Sequence, residues 1–388
     1  MKDRKLLMIP GPIEFEPAVM QAMGAPTTSH IAPNFIEAFG QALERMRDVF
    51  LCPDGQPFIV AGSGTLAMDL AGANLVEPGD KALVVNTGYF GDRYGDILSR
   101  YGAEVTHVRA DIGDRPTLDA VATALAADDY KLMTVTHVDT STGVVTDVED
   151  LAKLAGEHDV LIVVDGVCSV AGETLRMADW GVDVALTASQ KAVGTPPGLA
   201  LVVAGPRAMD AFRARTTPVA NYYADWANWL PIMDAYEGRR VGYFGTPAVN
   251  LVAALNVSLG IILQEGMEAR FERHALVSRA CKAAIKALGL GQVPVTDDAA
   301  ATTMTAPRFP EGITKEDLLP RVKVAGVVLA GGLHPKIKSE YFRIGHMGSV
   351  SQGDILATIG AIETGLAACG YSFERGAGVA AAMAVFAA

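Results

Sequence analysis

The sequence predicts an α/β protein whose large domain is a mostly parallel sheet covered by helices. Short apolar runs alternate with helical stretches through the first two thirds of the 388 residues. Half of the residues are hydrophobic and a fifth are charged, as in a compact enzyme. Because parallel neighbours require crossover connections, this alternation favours helices on both faces of the sheet. An active site is then expected at the carboxyl ends of the strands.

The first predicted element of the core is an amphipathic helix over residues 34–50, with Asn34 and Glu37 as a possible N-cap pair. Its apolar residues recur at helical spacing: Phe35, Phe39, Leu43, Met46 and Phe50. Five apolar runs then predict buried strands: Phe58–Ala61, Ala82–Val85, Leu132–Val138, Val160–Val164 and Leu199–Val203. Helices are predicted between them, over 65–75, 117–127 and 147–157.

The pattern changes near residue 260, where we place the domain boundary within about ten residues. Two long helical stretches, 250–265 and 267–288, are followed by short strand-like pieces near 302–306 and 340–344. The predicted division is an N-terminal arm over 1–20, a large domain over 21–260 and a smaller C-terminal α/β domain over 261–388. The Ala-rich end, Gly376–Ala388, is expected to be either frayed or a weak terminal helix.

The net charge of −12, with no long run of Lys or Arg, argues against binding to nucleic acid or to anionic membranes. The four cysteines are far apart and lack metal-site spacing, so buried reduced thiols and no metal site are expected. No apolar run is long enough to cross a membrane, and the start does not resemble a signal peptide. The ending Phe386-Ala387-Ala388 is not a peroxisomal address of the S-K-L type. The expected location is the cytoplasm, with peroxisome and mitochondrion left open.

Three local features suggest chemistry. Gly62-Ser63-Gly64-Thr65 lies at a predicted strand-to-helix turn, where free backbone N–H groups either bind an anion or only allow close packing. Asp165 ends a buried run and either caps the next turn or pairs with a protonated pyridine nitrogen. Lys191 has small, uncharged neighbours; it is either a solvated lysine or a desolvated amine suited to a Schiff base. Their order along the chain favours a pyridoxal-phosphate site.

The sequence resembles the class V aminotransferases of fold type I, most closely the alanine–glyoxylate and serine–pyruvate group. The likeness extends from about Ile9 to Ala368. Eight ordered motifs carry it: Ile9-Pro10-Gly11-Pro12, Gly62-Ser63-Gly64-Thr65, Glu77-Pro78-Gly79-Asp80, Thr136-His137, Ser141-Thr142-Gly143-Val144, Val164-Asp165, Ser189-Gln190-Lys191 and Phe342-Arg343-Ile344-Gly345. The resemblance implies a seven-stranded sheet in the large domain and pyridoxal 5′-phosphate as the cofactor.

The resemblance also implies residue roles. Lys191 would form the Schiff base and move the proton between the substrate α-carbon and the cofactor, while Asp165 would hold the ring nitrogen. Arg343 would grip the substrate carboxylate, and Gly11 would lie at the substrate site. The remaining cofactor contacts implied are Ser63, Gly64, Thr65 and Gln190 at the phosphate, Thr140 and Phe90 at the ring, and Tyr243 and Thr246 from the neighbouring subunit of a homodimer.

Two histidines and an aromatic cluster are left with structural roles or open ones. His30 and His137 are more often satisfied structural histidines than catalysts. The cluster from Asn221 to Trp229 lines either the substrate entrance or a subunit interface.

The reaction that the resemblance implies is transfer of an amino group from a small amino acid, alanine or possibly serine, to glyoxylate or pyruvate. Serine–glyoxylate, 2-aminoethylphosphonate–pyruvate and ureidoglycine–glyoxylate aminotransferases are alternatives. A cysteine desulfurase-like lyase is disfavoured because Cys281 and Cys369 lie in helical, apolar surroundings. A non-catalytic relative is disfavoured by the presence of Lys191, Asp165 and Arg343.

Overall fold

The structure is a computed structural model and describes residues 5–388. In chain order its strands are β1 Leu6–Leu7, β2 Gln56–Ala61, β3 Lys81–Asn86, β4 Glu104–Arg109, β5 Leu132–Thr136, β6 Val138–Asp139, β7 Val144–Val145, β8 Leu161–Asp165, β9 Val184–Ala188, β10 Leu199–Ala204, β11 Met304–Thr305, β12 Val327–Val328, β13 Ala330–Gly331 and β14 Phe342–Gly345. Its helices are α1 Pro17–Met23, α2 Pro33–Val49, α3 Gly64–Leu75, α4 Tyr89–Arg100, α5 Leu118–Ala126, α6 Val148–Glu157, α7 Pro206–Arg213, α8 Trp226–Glu237, α9 Val249–Glu265, α10 Met267–Ala287, α11 Lys315–Val324, α12 Gln352–Ala368 and α13 Ala377–Ala387.

The main sheet has seven strands in the order β2-β10-β9-β8-β5-β3-β4. The run from β9 to β4 is parallel, whereas β10 is antiparallel to both β9 and β2. All residues of β5, β8 and β10 are buried, as expected for strands covered on both faces. The prediction of a mostly parallel sheet covered by helices is confirmed.

Two strands of this sheet, β4 and β9, were not among the predicted strands. β4 is the edge strand, and its partly exposed sequence Glu-Val-Thr-His-Val-Arg lacks the apolar run that identified the others. β9, Val184–Ala188, has a single large apolar side chain, Leu186, and therefore a weak apolar signal. Each of the two strands is completed by hydrogen bonds to strands next to it in chain order, β4 to β3 and β9 to β8 and β10.

The predicted helices are present, but the start of α2 differs from the prediction. Its N-cap is Ala32, and no side chain caps the helix. Asn34 lies inside the helix because Pro33 occupies the first position, where its missing N–H costs no hydrogen bond. The predicted N-cap pair of Asn34 and Glu37 is therefore wrong.

Two hydrophobic clusters divide the buried residues. The larger one contains the main sheet and includes Phe271 of α10, while the second includes Val277 of the same helix together with residues of α11, β14 and α12. Residue 260 lies inside α9. The predicted domain limits stay a prediction, since a single long helix contributes to both clusters.

The Ala-rich C-terminal segment forms α13, which contacts α10 and α12. Ala382 is fully buried there, and an added Cβ on Gly378 would lie 2.9 Å from Ile359 Cγ2. Small residues therefore let α13 approach the second cluster closely.

Within residues 5–388, no single helix is long and apolar enough to cross a membrane. The consecutive helices α9 and α10, which meet at 84°, pass that test of length and composition only when taken together.

Candidate active site

Asp165 is the last residue of β8 and is 2% exposed at the carboxyl end of the sheet. Its Oδ1 accepts a hydrogen bond from Val167 N at 3.0 Å. No donor in residues 5–388 contacts Oδ2 of Asp165. The turn-capping role weighed from the sequence is thus present, and it leaves one carboxylate oxygen available to a ligand.

Lys191 lies in the connection between β9 and β10, and its Nζ donates a hydrogen bond to Pro10 O. The neighbouring Gly11 has a φ of +95°, and an added Cβ there would lie 2.5 Å from Lys191 Cδ. Only glycine allows the N-terminal segment to approach the lysine this closely. The structure therefore places Gly11 at the lysine, while its predicted role toward substrate stays a prediction.

The charges of this site influence one another. The pKa of Asp165 is raised to about 7, mainly by burial and also by the nearby Asp139, although the hydrogen bond from Val167 N and the charges of Lys191 and Arg93 oppose the rise. Burial also lowers the pKa of Lys191, and Arg343 acts in the same direction. An added cation beside Asp165 would keep the carboxylate ionised, and the desolvated lysine is more readily a neutral, nucleophilic amine.

Arg343 lies on β14 and points toward the same site. Its Nε donates to Gly331 O at 2.8 Å, and its Nη1 donates to Thr140 O at 3.2 Å. Among the described residues, no carboxylate lies within 4 Å of the guanidinium, so the ordinary surface ion pair considered from the sequence is absent. Burial lowers the pKa of Arg343. A half-buried guanidinium without a carboxylate partner is suited to a substrate carboxylate.

The N-terminus of α3 faces this region. Ser63 is the N-cap, in extended conformation, and its hydroxyl makes no capping hydrogen bond. Gly64 is buried, and an added Cβ would lie 2.8 Å from Cγ2 of Val167, just after Asp165. The Oγ1 of Thr65 accepts a hydrogen bond from Arg93 Nη1 at 3.1 Å. Close packing and an uncapped helix N-terminus therefore occur together at this turn.

Phe90 and Thr140 are held by the same loop region. The backbone N–H of Phe90 donates to Asp139 Oδ2 at 3.0 Å, and the guanidinium carbon of Arg93 lies 4.9 Å from the centre of the Phe90 ring. Thr140 is 5% exposed and follows Asp139 directly. Both residues thus lie near Asp165, whose pKa responds to Asp139 and to Arg93.

Gln190 precedes Lys191 and carries a buried side-chain oxygen, Oε1, with no hydrogen-bond partner among the described residues. Since buried polar atoms are normally paired, this amide is available to a ligand. A free amide, an uncapped helix start, a carboxylate with one open oxygen and a desolvated amine are the groups that pyridoxal phosphate requires. The residues present therefore fit this cofactor.

Tyr243 and Thr246 lie away from the other predicted site residues. Both are exposed, Tyr243 at 64%, and its ring packs against the ring of His30 at 5.5 Å. Within one chain they are not brought together with Lys191, so their predicted contact with a neighbouring subunit stays a prediction.

His137 differs from the satisfied histidine expected from the sequence. It is 4% exposed, and its Nδ1 has no partner among residues 5–388. Burial lowers the pKa of His137 to about 4, so the imidazole is neutral at physiological pH. Its backbone N–H donates to Asp165 O at 3.0 Å, so the main chain of His137 lies beside that of Asp165.

Sequence reasoning missed Asp139 and the position of Cys168. Cys168 is buried three residues after Asp165, and burial raises the pKa of its thiol. Asp139 begins a run of residues that favour tight turns, Asp-Thr-Ser-Thr-Gly, which follows a buried strand. That run was the available signal for Asp139; no local pattern identified Cys168. Within residues 5–388, no three His, Cys, Asp or Glu side chains are grouped as a metal site.

Comparison with known families identifies the class. The family model described as Aminotransferase class-V matches residues 18–348. The chain belongs to this family, as its motifs predicted. It is an aminotransferase, and its family and fold imply pyridoxal phosphate.

Curated relatives cover nearly the whole chain. The chain is 38% identical to alanine–glyoxylate aminotransferase 1 of Saccharomyces cerevisiae, over 89% of this chain and 93% of the relative. It is 33% identical to L-aspartate–glyoxylate aminotransferase of Paracoccus denitrificans, over 98% and 96%. It is 32% identical to serine–glyoxylate aminotransferase of Arabidopsis thaliana, over 98% and 94%.

Solved structures agree in fold. Alanine–glyoxylate aminotransferase from Nostoc superposes with a TM-score of 0.88 at 32% identity, covering 94% of this chain and 95% of that one. Ureidoglycine–glyoxylate aminotransferase from Bacillus subtilis superposes with a TM-score of 0.93 at 26% identity, covering 99% and 98%. The expected type I fold of pyridoxal-phosphate enzymes is therefore confirmed.

Proposed function

We propose that this aminotransferase moves the amino group of a small amino acid, with alanine as the favoured donor, to glyoxylate, with pyruvate as a second possible acceptor. The observation that carries the proposal is the meeting of Lys191, Asp165 and Arg343 in one electrostatically coupled site. The three relatives described above are all named as glyoxylate aminotransferases, with alanine, aspartate or serine as donor. The highest of the three identities belongs to the alanine enzyme.

Pyridoxal phosphate would be held by residues from four parts of the chain. The backbone N–H groups of Ser63, Gly64 and Thr65, together with the Gln190 amide, would bind the phosphate at the start of α3. The open Oδ2 of Asp165 would accept a hydrogen bond from the ring nitrogen. Phe90 would stack on the ring, and the Thr140 hydroxyl would contact its edge. When bound, the cofactor supplies an electron sink for the negative charge left at the substrate α-carbon.

Lys191 would carry the cofactor covalently and then act as the acid–base group. Because burial lowers its pKa, Nζ can be neutral at physiological pH and can remove the proton from the substrate α-carbon. The same Nζ would then hold that proton and release it again, and the cofactor would supply the position that receives it. Pro10 O, which accepts a hydrogen bond from Nζ, limits where the amine can point.

Arg343 would orient the substrate by its carboxylate. Its guanidinium is fixed by two backbone carbonyls, of Gly331 and Thr140, and keeps further N–H donors free. A planar fork of donors matches both oxygens of a carboxylate, so the amino group is directed toward Lys191. Gly11, at the lysine, would leave room for a small substrate.

We also propose a homodimer in which Tyr243 and Thr246 reach the phosphate of the partner. Exposed aromatic and aliphatic side chains lie around them, with Tyr222 at 78% and Val241 at 57% exposed. Tyr222 packs on the ring of Phe244, between Tyr243 and Thr246. Such a surface is unusual on a monomer and is typical of an interface.

Cysteine desulfurase chemistry is poorly supported. It needs a reactive thiolate near the substrate, whereas Cys281 is fully buried and burial raises its pKa to about 11. Cys369 ends α12, in the second cluster, and burial raises its pKa as well.

The test is a visible absorption spectrum of the protein after incubation with pyridoxal phosphate, followed by L-alanine and, separately, L-serine. We expect an absorption band of the lysine-bound cofactor that alanine converts to the spectrum of pyridoxamine phosphate. Addition of glyoxylate should then restore the first band. The control is Lys191→Ala, which should bind the cofactor without that band and show no turnover. A wild-type chain that stays colourless, or a Lys191→Ala variant of normal rate, would contradict the proposal.

A further inference from the structure

Asp139 is a buried carboxylate beside the candidate active site for which the proposed reaction has no role. It is fully buried at the end of β6, and within residues 5–388 it forms no salt bridge. A carboxylate in such surroundings must be stabilised by hydrogen bonds. The donors are Ser141 N at 2.8 Å, Ser141 Oγ at 2.5 Å, Phe90 N at 3.0 Å and the N–H of Gly91.

These contacts make Asp139 the cap of α4. The N-cap position of this helix is Gly88, which has no side chain to accept a hydrogen bond. Asp139 Oδ2 instead accepts from Phe90 N, and Ser141 Oγ accepts from Tyr89 N at 3.0 Å. An added Cβ on Gly88 would lie 2.6 Å from Ser141 Oγ, so the helix start and the loop are in close contact. The position of α4, and with it that of Phe90, depends on this carboxylate.

The loop that carries Asp139 is also attached to the small domain. The hydroxyl of Tyr341 donates to Ser141 O, and it accepts from Leu333 N at 2.8 Å. Arg343 donates to the carbonyl of Thr140 at 3.2 Å. One short loop thus joins the start of α4 to the strand that carries the proposed substrate-binding arginine.

We propose that Asp139 is a positioning residue that holds Phe90, through the start of α4, and Thr140, through its own loop, against the face and the edge of the cofactor ring. The inference rests on the proposed function, because it requires pyridoxal phosphate at Lys191. The inference goes beyond the proposed function because it assigns the orientation of the cofactor ring to a side chain that touches neither substrate nor cofactor. Asp139 also acts on Asp165 across the site, since its charge raises the pKa of that carboxyl.

The test is Asp139→Asn, which keeps the size of the side chain but replaces one acceptor oxygen with an NH₂ group that faces N–H donors. We expect the dissociation constant for pyridoxal phosphate to rise at least about tenfold, because charged hydrogen bonds are lost and a donor is left unpaired. We also expect the visible circular dichroism of the bound cofactor to weaken or change sign, since that signal reports the tilt of the ring in the protein.

The matched control is Asp183→Asn. Asp183 is another buried aspartate of the large domain, 4% exposed, and it accepts from Ile162 N at 2.8 Å. It directly precedes β9, so it lies at the amino end of that strand, whereas the candidate site lies at the carboxyl end of the sheet. Its replacement should lower stability without changing the cofactor affinity or the circular dichroism.

Ser141→Ala is the milder second variant for use if Asp139→Asn does not fold. It removes only the hydroxyl between Asp139 and Tyr89 N, and a change of about two- to tenfold in cofactor affinity is expected. If Asp139→Asn, or in its place Ser141→Ala, has the wild-type affinity and circular dichroism, the inference is overturned. A wild-type chain that binds no pyridoxal phosphate would instead overturn the proposed function itself.

Discussion

At the scale of single residues, the site places a carboxyl group and an amine where burial shifts both pKa values toward neutrality. Burial raises the pKa of Asp165 and lowers that of Lys191, and each charge partly opposes the shift of the other. The two groups are thus costly as isolated charges in the protein alone. A ligand that is cationic at its ring nitrogen and reactive toward amines would relieve both costs.

Asp165→Asn should make the stability of the apoprotein less dependent on pH. The folded-state pKa of Asp165, about 7, lies above the ordinary value of 3.8. The contribution of this group to the free energy of unfolding is therefore fully present below about pH 4 and is lost as the pH rises through 7. Asparagine removes this loss. The variant should therefore gain about 2–4 kcal/mol relative to wild type between pH 4 and pH 8, measured by urea unfolding.

The cofactor provides the control for this measurement. With pyridoxal phosphate bound, the proposed pairing of its ring nitrogen with Asp165 should make the advantage of the asparagine variant vanish or reverse. An unchanged difference between the two proteins from pH 4 to pH 8, without cofactor, would contradict the shifted pKa.

Arg343→Ala should raise KM for alanine by about ten- to hundredfold, because a charged hydrogen-bond pair with the substrate carboxylate is lost. The KM of the Arg343→Lys variant should lie between those of the wild type and of Arg343→Ala, because lysine keeps the charge but not the planar fork of donors. Arg308→Ala is the matched control. That arginine forms a surface ion pair with Glu340 at 2.9 Å in the same domain. Steady-state kinetics decide the matter, and equal KM values for the two alanine variants would exclude the role of Arg343.

At the scale of secondary-structure elements, the strand-to-helix turn before α3 combines tight packing with an uncapped N-terminus. Ser63 makes no side-chain capping bond, and Gly64 packs on the segment that follows Asp165. The helix start is therefore fixed to the strand end that carries the carboxylate. The distance between a phosphate bound at the N-terminus of α3 and a ring nitrogen bound at Asp165 would therefore be fixed.

Gly64→Ala should both destabilise the protein and weaken cofactor binding. The added methyl group would lie 2.8 Å from Val167 Cγ2, and overpacking of this kind costs about 1–3 kcal/mol. Gly156→Ala in α6 is the control, because nothing lies within 4 Å of its added Cβ and helix propensity should raise stability by up to about 1 kcal/mol. Thermal unfolding and cofactor titration of both variants test this. A Gly64→Ala protein with wild-type affinity for pyridoxal phosphate would argue against phosphate binding at the N-terminus of α3.

Elements with a strong local pattern were predictable from sequence, and those without one were not. β5 and β8 each begin with two large apolar side chains, Leu132-Met133 and Leu161-Ile162, and these apolar runs identified them. β4 alternates polar and apolar residues at the sheet edge, and β9 has only one large apolar side chain, Leu186; each is completed by hydrogen bonds to a neighbouring strand. The start of α2 was misassigned because a favourable cap sequence competed with Pro33, whose fixed φ suits the first helical position.

At the scale of the whole molecule, the proposed homodimer would add Tyr243 and Thr246 of one subunit to the site of the other, and both residues are exposed in this chain. If they serve the partner subunit, a mixture of inactive variants should regain activity. The Lys191→Ala variant lacks the amine but keeps the side chains of Tyr243 and Thr246. The double variant Tyr243→Ala/Thr246→Ala lacks those two side chains but keeps the amine. A mixed dimer has one site with both parts intact.

Refolding the two variants together should therefore restore about a quarter of the wild-type rate, since half of the dimers are mixed and each has one complete site. Each variant refolded alone is the control. Size-exclusion chromatography should show a dimer throughout. If a dimer of confirmed mixed composition recovers no activity, Tyr243 and Thr246 do not contribute to the active site of the other subunit.

The sequence by itself determined the class of fold and the family, and it predicted Asp165 and Lys191 as the central pair of the site. These depend on local patterns: apolar runs, a strand-end acid, a sheltered lysine and ordered motifs. Only the tertiary structure brought Pro10 and Gly11 onto Lys191, joined Arg343 to the loop of Thr140, and revealed Asp139 as the cap of α4. The physical reason is that a local pattern depends on neighbouring residues, whereas these contacts join residues far apart in the chain and form only when sheet, helices and small domain pack together.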